Sequence, residues 1–292
     1  MVIENQTIKF KMNPYKITEP TCISFSGGRT SAYMLHQVLQ AHGGKMPADC
    51  IVCFANTGKE EEATLKFVND CSVNWDVKIH WIEYQAHEDP IQRYKEVAYE
   101  TASRHGEPFE ELIRKRQYLP NPVTRFCTSE LKIRTMACFL KHSGLFNDCS
   151  KSELESASWI GLRYDEDRRA AKIADKRRIP LFTDGVTVQD ISNFWDAQPF
   201  NLELPTYNGR TLAGNCDLCF LKPMNQVATL IAEKPARAIW WANMEGLQLA
   251  SKPSGNAFRQ DRPSYASMMK FAAEQMPLFD QDEEGIACFC GD

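Results

Sequence analysis

Between residues 21 and 162, short apolar runs of strand length alternate with stretches of helical period, and this alternation restricts the chain to few architectures. Residues 21–25 read as a short buried strand. Met34, Leu35, Val38 and Leu39 then recur at helical spacing, and Gly43-Gly44 supplies a stop. Residues 50–55 form a second buried strand ending at Asn56-Thr57-Gly58, after which Leu65, Val68, Cys71 and Trp75 mark one helix face. Val77, Ile79 and Trp81 alternate as a third strand, and residues 158–162 supply a fourth. Strands separated by helices build a parallel sheet covered on both faces. The expected fold class is therefore α/β, with a parallel, Rossmann-like sheet.

Residues 88–127 are charged and interrupted by Pro108, Pro120 and Pro122, and read as helix plus active-site loop. Past Phe200 the character changes. Asn208-Gly209 and Gly214 mark turns around a cysteine pair, and helical periodicity follows at Val227, Leu230, Ile231, Trp240, Trp241 and Met244. The expected organisation is an α/β domain over 14–200 and a dependent, helical, cysteine-bearing extension over 201–292. In 292 residues, 43% hydrophobic and 25% charged, a large core is affordable. The net charge of -4 argues against a generally nucleic-acid-coating protein but leaves room for a local basic groove. No long apolar run predicts a membrane span. The opening Met-Val-Ile-Glu-Asn-Gln lacks a signal-peptide profile, so the expected location is cytoplasmic.

The strongest short motif is Ser24-Phe25-Ser26-Gly27-Gly28-Arg29-Thr30-Ser31, between the first strand and the first helix. Its glycines let backbone N–H groups turn inward, its hydroxyls add donors, and the helix start adds positive potential. A Ser/Gly turn that only caps a helix has the same composition. The strand before and the helix after favour phosphate binding, beside Asn56-Thr57-Gly58 at the end of the neighbouring strand. The spacing is neither that of a Walker loop nor Gly-x-Gly-x-x-Gly.

This Ser-x-Ser-Gly-Gly-x-x-Ser element resembles the PP-loop of the adenine-nucleotide alpha-hydrolase-like (HUP) superfamily. Asn56-Thr57-Gly58 with Thr64 is similar to the Asp-Thr-Gly…Glu-Thr element of phosphoadenosine phosphosulfate (PAPS) reductases, with Asn56 and Ala63 replacing acids. Arg125-Phe126-Cys127-Thr128, with Leu131-Lys132, resembles the Arg-x-Cys-Cys-x-x-x-Lys region of cluster-bearing reductases, with one cysteine. Gly161-Leu162-Arg163 with Arg168-Arg169 resembles a further segment of that family. The chain is likewise similar to cluster-bearing PP-loop ATP pyrophosphatases of the kind that phosphorothioates DNA. The resemblance implies an adenine nucleotide, ATP or PAPS, with phosphates at Ser26, Gly27, Gly28, Arg29, Thr30 and Ser31. It also implies contacts from Ser24, Asn56, Thr57, Gly58 and Arg169, and Mg2+ accompanying ATP. Arg29 stands where many members have lysine, to neutralise a leaving phosphate. Arg125, Lys132 and Arg163 are expected to hold sulfate or phosphate oxygens.

Eleven cysteines in a chain of this class are not read as a disulfide framework. Cys22, Cys50, Cys53, Cys71 and Cys138 look like core packing. Cys216-Asp-Leu-Cys219 is a two-ligand knuckle suited to zinc or to an iron–sulfur cluster of four ligands. On the resemblance, Cys127 is the third ligand; the fourth is Cys288 or Cys290, since the terminal Cys-Phe-Cys otherwise has no evident reason to exist. Spacing alone favours Zn2+; the resemblance favours a [4Fe–4S] cluster. A cycling dithiol is the third reading.

Other basic residues, among them Arg114, Lys115, Arg116, Arg168 and Lys172, concentrate positive charge. Lys176, Arg177 and Arg178 read as a solvated helix face. His36 and His80 are expected to pack rather than react, and Trp240-Trp241 to belong to the core. The leading expectation is a PP-loop enzyme of sulfur metabolism. An acceptor oxygen attacks the ATP α-phosphate, pyrophosphate leaves, and a sulfur donor displaces the adenylate. The alternative is a PAPS or APS reductase, in which Cys290 attacks the sulfate sulfur and a thioredoxin-like thiol releases sulfite. A nucleotide- or nucleic-acid-binding module with structural zinc is the non-enzymatic alternative. A nucleic-acid acceptor and a homo-oligomer stay open.

Overall fold

A computed structural model describes residues 13–207, 210–250 and 256–274. The chain is α/β, built on a five-stranded sheet of order β4-β3-β2-β1-β5. β1 (Thr21–Phe25), β2 (Cys50–Asn56), β3 (Ile79–Glu83) and β5 (Ser158–Ile160) run parallel; β4 (Lys95–Val97) lies antiparallel at the β3 edge. The register sets Ser24 against Cys53 on one side and Ile160 on the other. Helices α1 (Arg29–Ala41) and α2 (Glu62–Asn74) make the first two crossovers.

Burial explains why these segments fold this way. Ile23 and Phe25 of β1 meet Met34, Leu35, Val38 and Leu39 of α1, and all are at most 3% exposed. Each such side chain contributes about 1.5–3 kcal/mol when removed from water. Cys22 and Cys53 point to the opposite face, against Phe139, Leu140 and Leu154. Cys71 is also fully buried, whereas Cys50 and Cys138 are half-buried, and Cys138 donates to the Pro90 carbonyl at 3.2 Å.

The stretch 88–127 holds more structure than helix plus loop. A single turn at Pro90–Gln92 precedes β4, and α3 (Glu107–Arg116) follows with Pro108 in its first turn. That proline opens the helix rather than interrupting it. Next come a π-helical segment (Thr128–Arg134), α4 (Thr135–Lys141) and α5 (Lys151–Ser156), then α6 (Asp167–Ile173), α7 (Pro180–Asp184) and α8 (Val188–Asp196) after β5. A two-stranded ribbon, β6 (Thr206–Tyr207) and β7 (Arg210–Thr211), leads to α9 (Met224–Glu233), α10 (Arg237–Glu245) and α11 (Tyr265–Glu274).

These last helices share the main core. Trp241 is fully buried and meets Phe109 edge-on at 6.0 Å between ring centres. Gly106 (φ +85°) lies so close to Trp240 that a Cβ there would stand 2.4 Å from the indole nitrogen, so only glycine fits. His36 packs between Trp75 and Phe194, and His80 meets Glu96 at 2.7 Å. Among the described residues no helix is long and apolar enough to cross a membrane.

Candidate functional site

The turn from β1 into α1 depends on Gly27. Its φ is +79°, and a Cβ would sit 2.7 Å from Thr64 Cγ2 and 3.1 Å from Phe54. Gly28 precedes the helix in an extended conformation, and no side chain caps the helix there. The first-turn N–H groups of α1 thus remain suited to an anion. Ser26 and Ser31 face one another: their hydroxyls are 2.9 Å apart, Ser26 N–H donates to Ser31 Oγ at 3.1 Å, and Ser31 Oγ donates to the Gly28 carbonyl at 3.0 Å. Gly161, just past β5, packs against this turn, where an added Cβ would be 3.0 Å from Ser31 Cα.

A cavity of about 360 Å³ opens at the carboxyl ends of β1, β2 and β5, with Ser24, Ser26, Ser31, Ala55 and Gly161 in its wall. Strand order reverses between β1 and β5, the position where open α/β sheets hold ligands. The π-helical segment and α6 supply the facing wall. Six cations line the cavity, Arg125, Lys132, Arg169, Lys172, Lys176 and Arg177, against one carboxylate, Glu155. Burial lowers the Arg177 pKa, and Glu155 acts against that shift. Arg177, half-buried, therefore belongs to the cavity, whereas Lys176 lines it from a solvent-exposed position and Arg178 turns outward, to Glu19 at 2.8 Å. The turn after α6 brings Arg177 back toward the sheet, where Arg178 forms a β-bridge with Trp159, which helical spacing alone does not reveal.

Of the residues singled out in the sequence, Ser24, Ser26, Ser31, Arg125, Lys132 and Arg169 meet at this cavity. Arg169 also pairs with Glu166. Arg163 donates to the Thr30 hydroxyl at 3.2 Å and to Asp165 at 3.1 Å, bracing the start of α1. Arg29 turns elsewhere. Its guanidinium donates to Asn201 Oδ1 (2.8 Å), Thr206 Oγ1 (3.0 Å) and the Leu202 carbonyl (3.1 Å), tying α1 to residues 201–206. Asn56 is fully buried and acts as a strut: its amide donates to Glu83 (2.6 Å) and the Ser103 carbonyl (2.8 Å) and accepts from Gly58 N–H (3.1 Å). The Thr57 hydroxyl and N–H are engaged by Glu60.

The cysteine knuckle docks beside that loop. Cys216 forms a β-bridge with Glu60, and its sulfur is 3.6 Å from the Thr57 hydroxyl. Burial pushes the Cys216 thiol pKa up, Glu60 adds to the rise, and Lys132 opposes it. Lys132 Nζ is 3.9 Å from Glu60 Oε1, so this lysine stands between the knuckle and the cavity. Cys127 is half-buried just before the π-helical segment. Among the described residues no three His, Cys, Asp or Glu side chains gather as metal ligands. Cys127 thus does not complete a three-ligand group with Cys216 and Cys219. Cys288 and Cys290 lie outside the described residues. The π-helical segment, which carries Thr128, Ser129 and Lys132 into the cavity, has no signal in the hydrophobic periodicity.

No family model matches the chain. It is similar to the uncharacterized nin region protein ORF290 of Escherichia phage lambda, 29% identical over 212 residues, covering 70% of this chain and 67% of that protein. It is also similar to the uncharacterized protein MJ0066 of Methanocaldococcus jannaschii, 29% identical over 171 residues, 58% of this chain and 28% of that protein.

Proposed function

We propose that this protein is a PP-loop enzyme similar to PAPS reductases, and that the cavity at the β1–β5 switch point binds the phosphates of an adenylyl nucleotide. The sheet is then the Rossmann-like PP-loop form. The observation that carries this reading is the lining: six cations and one carboxylate around a turn whose helix start, with no side-chain cap, leaves N–H groups for an anion. A volume of about 360 Å³ lies within the usual range for small-ligand sites.

In the preferred reaction ATP enters as its Mg2+ complex, the metal riding on the phosphates. An acceptor oxygen attacks the α-phosphorus, the bond to the bridging oxygen breaks, and its electron pair leaves with pyrophosphate; a hydroxyl acceptor gives its proton to water. Lys132, Arg169 and their cationic neighbours stabilise the charge that builds on the leaving group. Arg29 has a different part: its contacts hold α1 against residues 201–206. A sulfur donor then displaces the adenylate. Among the described residues no set of ligands sufficient for a metal cluster is gathered. Iron and zinc content of the purified protein and of Cys216→Ser decides whether the 216/219 pair holds metal.

Incubation with labelled ATP and with PAPS tests the reading. Pyrophosphate and AMP without sulfite is the expected result. Sulfite released with thioredoxin would assign the reductase chemistry instead, and neither product would overturn both.

A further inference from the structure

A second cavity, of about 690 Å³, shares Ser24, Ile133, Met136, Glu155 and Arg177 with the first. It extends along the same face of β1 toward Cys22 and Ser158, beneath α4 and α5. Its floor is apolar: Cys22, Leu140 and Leu154 are at most 5% exposed, and Met136 and Ala137 are half-buried beside them. The rest of the lining has a different character, with exposed Arg134, Lys141 and Lys151 and half-buried Arg93 and Arg177 against two carboxylates, the buried Glu130 and the half-buried Glu155. Glu130 is already engaged by Arg116 and Arg134. Glu155 is 3.9 Å from Lys151.

An apolar floor beside a positive lining selects on two counts. A polyphosphate would leave the floor without an apolar partner, and a neutral hydrocarbon would gain nothing from the cations. We propose that this cavity is a separate ligand site for an aromatic monoanion, its rings against Met136, Leu140 and Leu154 and its acidic group at Lys141 and Lys151. Binding there stands on the cavity's own chemistry and not on the nucleotide reading. The shared wall gives it a consequence for that reading. A ligand here presses on Ile133 and Met136, which also bound the first cavity, so the two sites are placed to hold two reactants side by side.

The test uses 8-anilinonaphthalene-1-sulfonate and its neutral analogue N-phenyl-1-naphthylamine, titrated into the full-length folded protein. The sulfonate is expected to bind saturably, one per chain, and about tenfold more tightly than the neutral dye. Joint Lys141→Glu and Lys151→Glu substitution, both at exposed positions, is expected to weaken the sulfonate about tenfold. It should leave the neutral dye and ATP unaffected. Equal affinity for the two dyes, or a sulfonate affinity indifferent to the substitutions, overturns the proposal. Failure of the wild-type protein to bind ATP while the dyes behave as expected would overturn the nucleotide reading and leave this one standing.

Discussion

The backbone N–H of Asp217 donates to the Lys59 carbonyl at 2.7 Å, and the two side chains close an ion pair of 3.0 Å across the same junction. Trp241 Nε1 holds the other Asp217 oxygen at 2.8 Å, and the Lys59 ammonium lies 5.2 Å from the centre of the Trp240 ring. Both charged side chains are about one-tenth exposed or less. This junction fixes the Cys216 knuckle to the loop after β2. Removing one partner strands a buried charge, so Asp217→Ala is expected to lower the unfolding free energy by about 3–5 kcal/mol. The joint change Lys59→Met and Asp217→Leu should recover part of the loss, because both ionic desolvation costs disappear together while the buried Trp241 N–H loses its acceptor. Urea unfolding at neutral pH measures both, and a single-variant loss below about 1 kcal/mol would mean the pair is effectively solvated.

Motif spacing treats Gly27 and Gly28 alike, but the structure separates them. Gly27 occupies the left-handed region with its Cβ position blocked by Thr64, whereas Gly28 is extended at φ -98°. Gly27→Ala combines left-handed strain with overpacking, about 1–2 and about 1–3 kcal/mol respectively. It is expected to lower the melting temperature and to weaken nucleotide binding with it. Gly28→Ala should unfold like the wild type, and any loss of binding would then report on the phosphate site itself. Thermal unfolding beside ATP titration distinguishes these outcomes.

The cap of α8 offers a pH test. Asp190 accepts from the Thr187 hydroxyl at 2.6 Å and from Thr187 N–H at 2.8 Å, and these bonds hold its carboxyl below the usual aspartate value. A lowered folded-state pKa stabilises the fold above the unfolded value of about 4 and is lost as pH falls through the folded one. Thr187→Ala is expected to cost about 1 kcal/mol at neutral pH. Its difference from the wild type should shrink below about pH 4. The effect reaches the site, since α8 buries Trp195, whose indole donates to the Arg29 carbonyl at 3.0 Å at the start of α1. A difference that grows on acidification would contradict the assignment.

The parallel strands were legible because β1 and β2 read as buried apolar runs and β3 as an alternation, with Gly43-Gly44 ending the intervening helix and Gly58 following β2. β4 was not: Lys95, Glu96 and Val97 form three residues at an exposed edge, held by Glu83 and His80 across the pair rather than by a pattern of their own. The placement of Ser24, Ser26 and Ser31 between the first strand and the first helix was readable from the strand before and the helix after. The roles of Arg29 and Asn56 were not, because both are decided by distant partners, Asn201 and Glu83, that only the folded chain brings near. Arg177 escaped for the same reason in reverse, its charge masking a return toward the sheet.

The sharpest test of the cavity comes from three consecutive cations with different placements. Lys176 and Arg177 line the cavity, whereas Arg178 pairs with Glu19 on the surface. If phosphates bind where the cations converge, Lys176→Glu should weaken ATP binding about tenfold, and Arg178→Glu, two residues further on, should change it far less. The contrast separates a lined cavity from a diffuse positive field, in which both reversals would cost about the same. Salt sharpens it further. At an ionic strength of about 0.01 M the screening length is about 30 Å and distant charges contribute, whereas at about 0.15 M it falls to about 8 Å and only the lining cations remain in range. The gap between the two variants should therefore widen as salt is added, even as ATP affinity falls overall. Calorimetric titration of both variants across that range measures it, and a gap that closes with salt would place the phosphates outside this cavity.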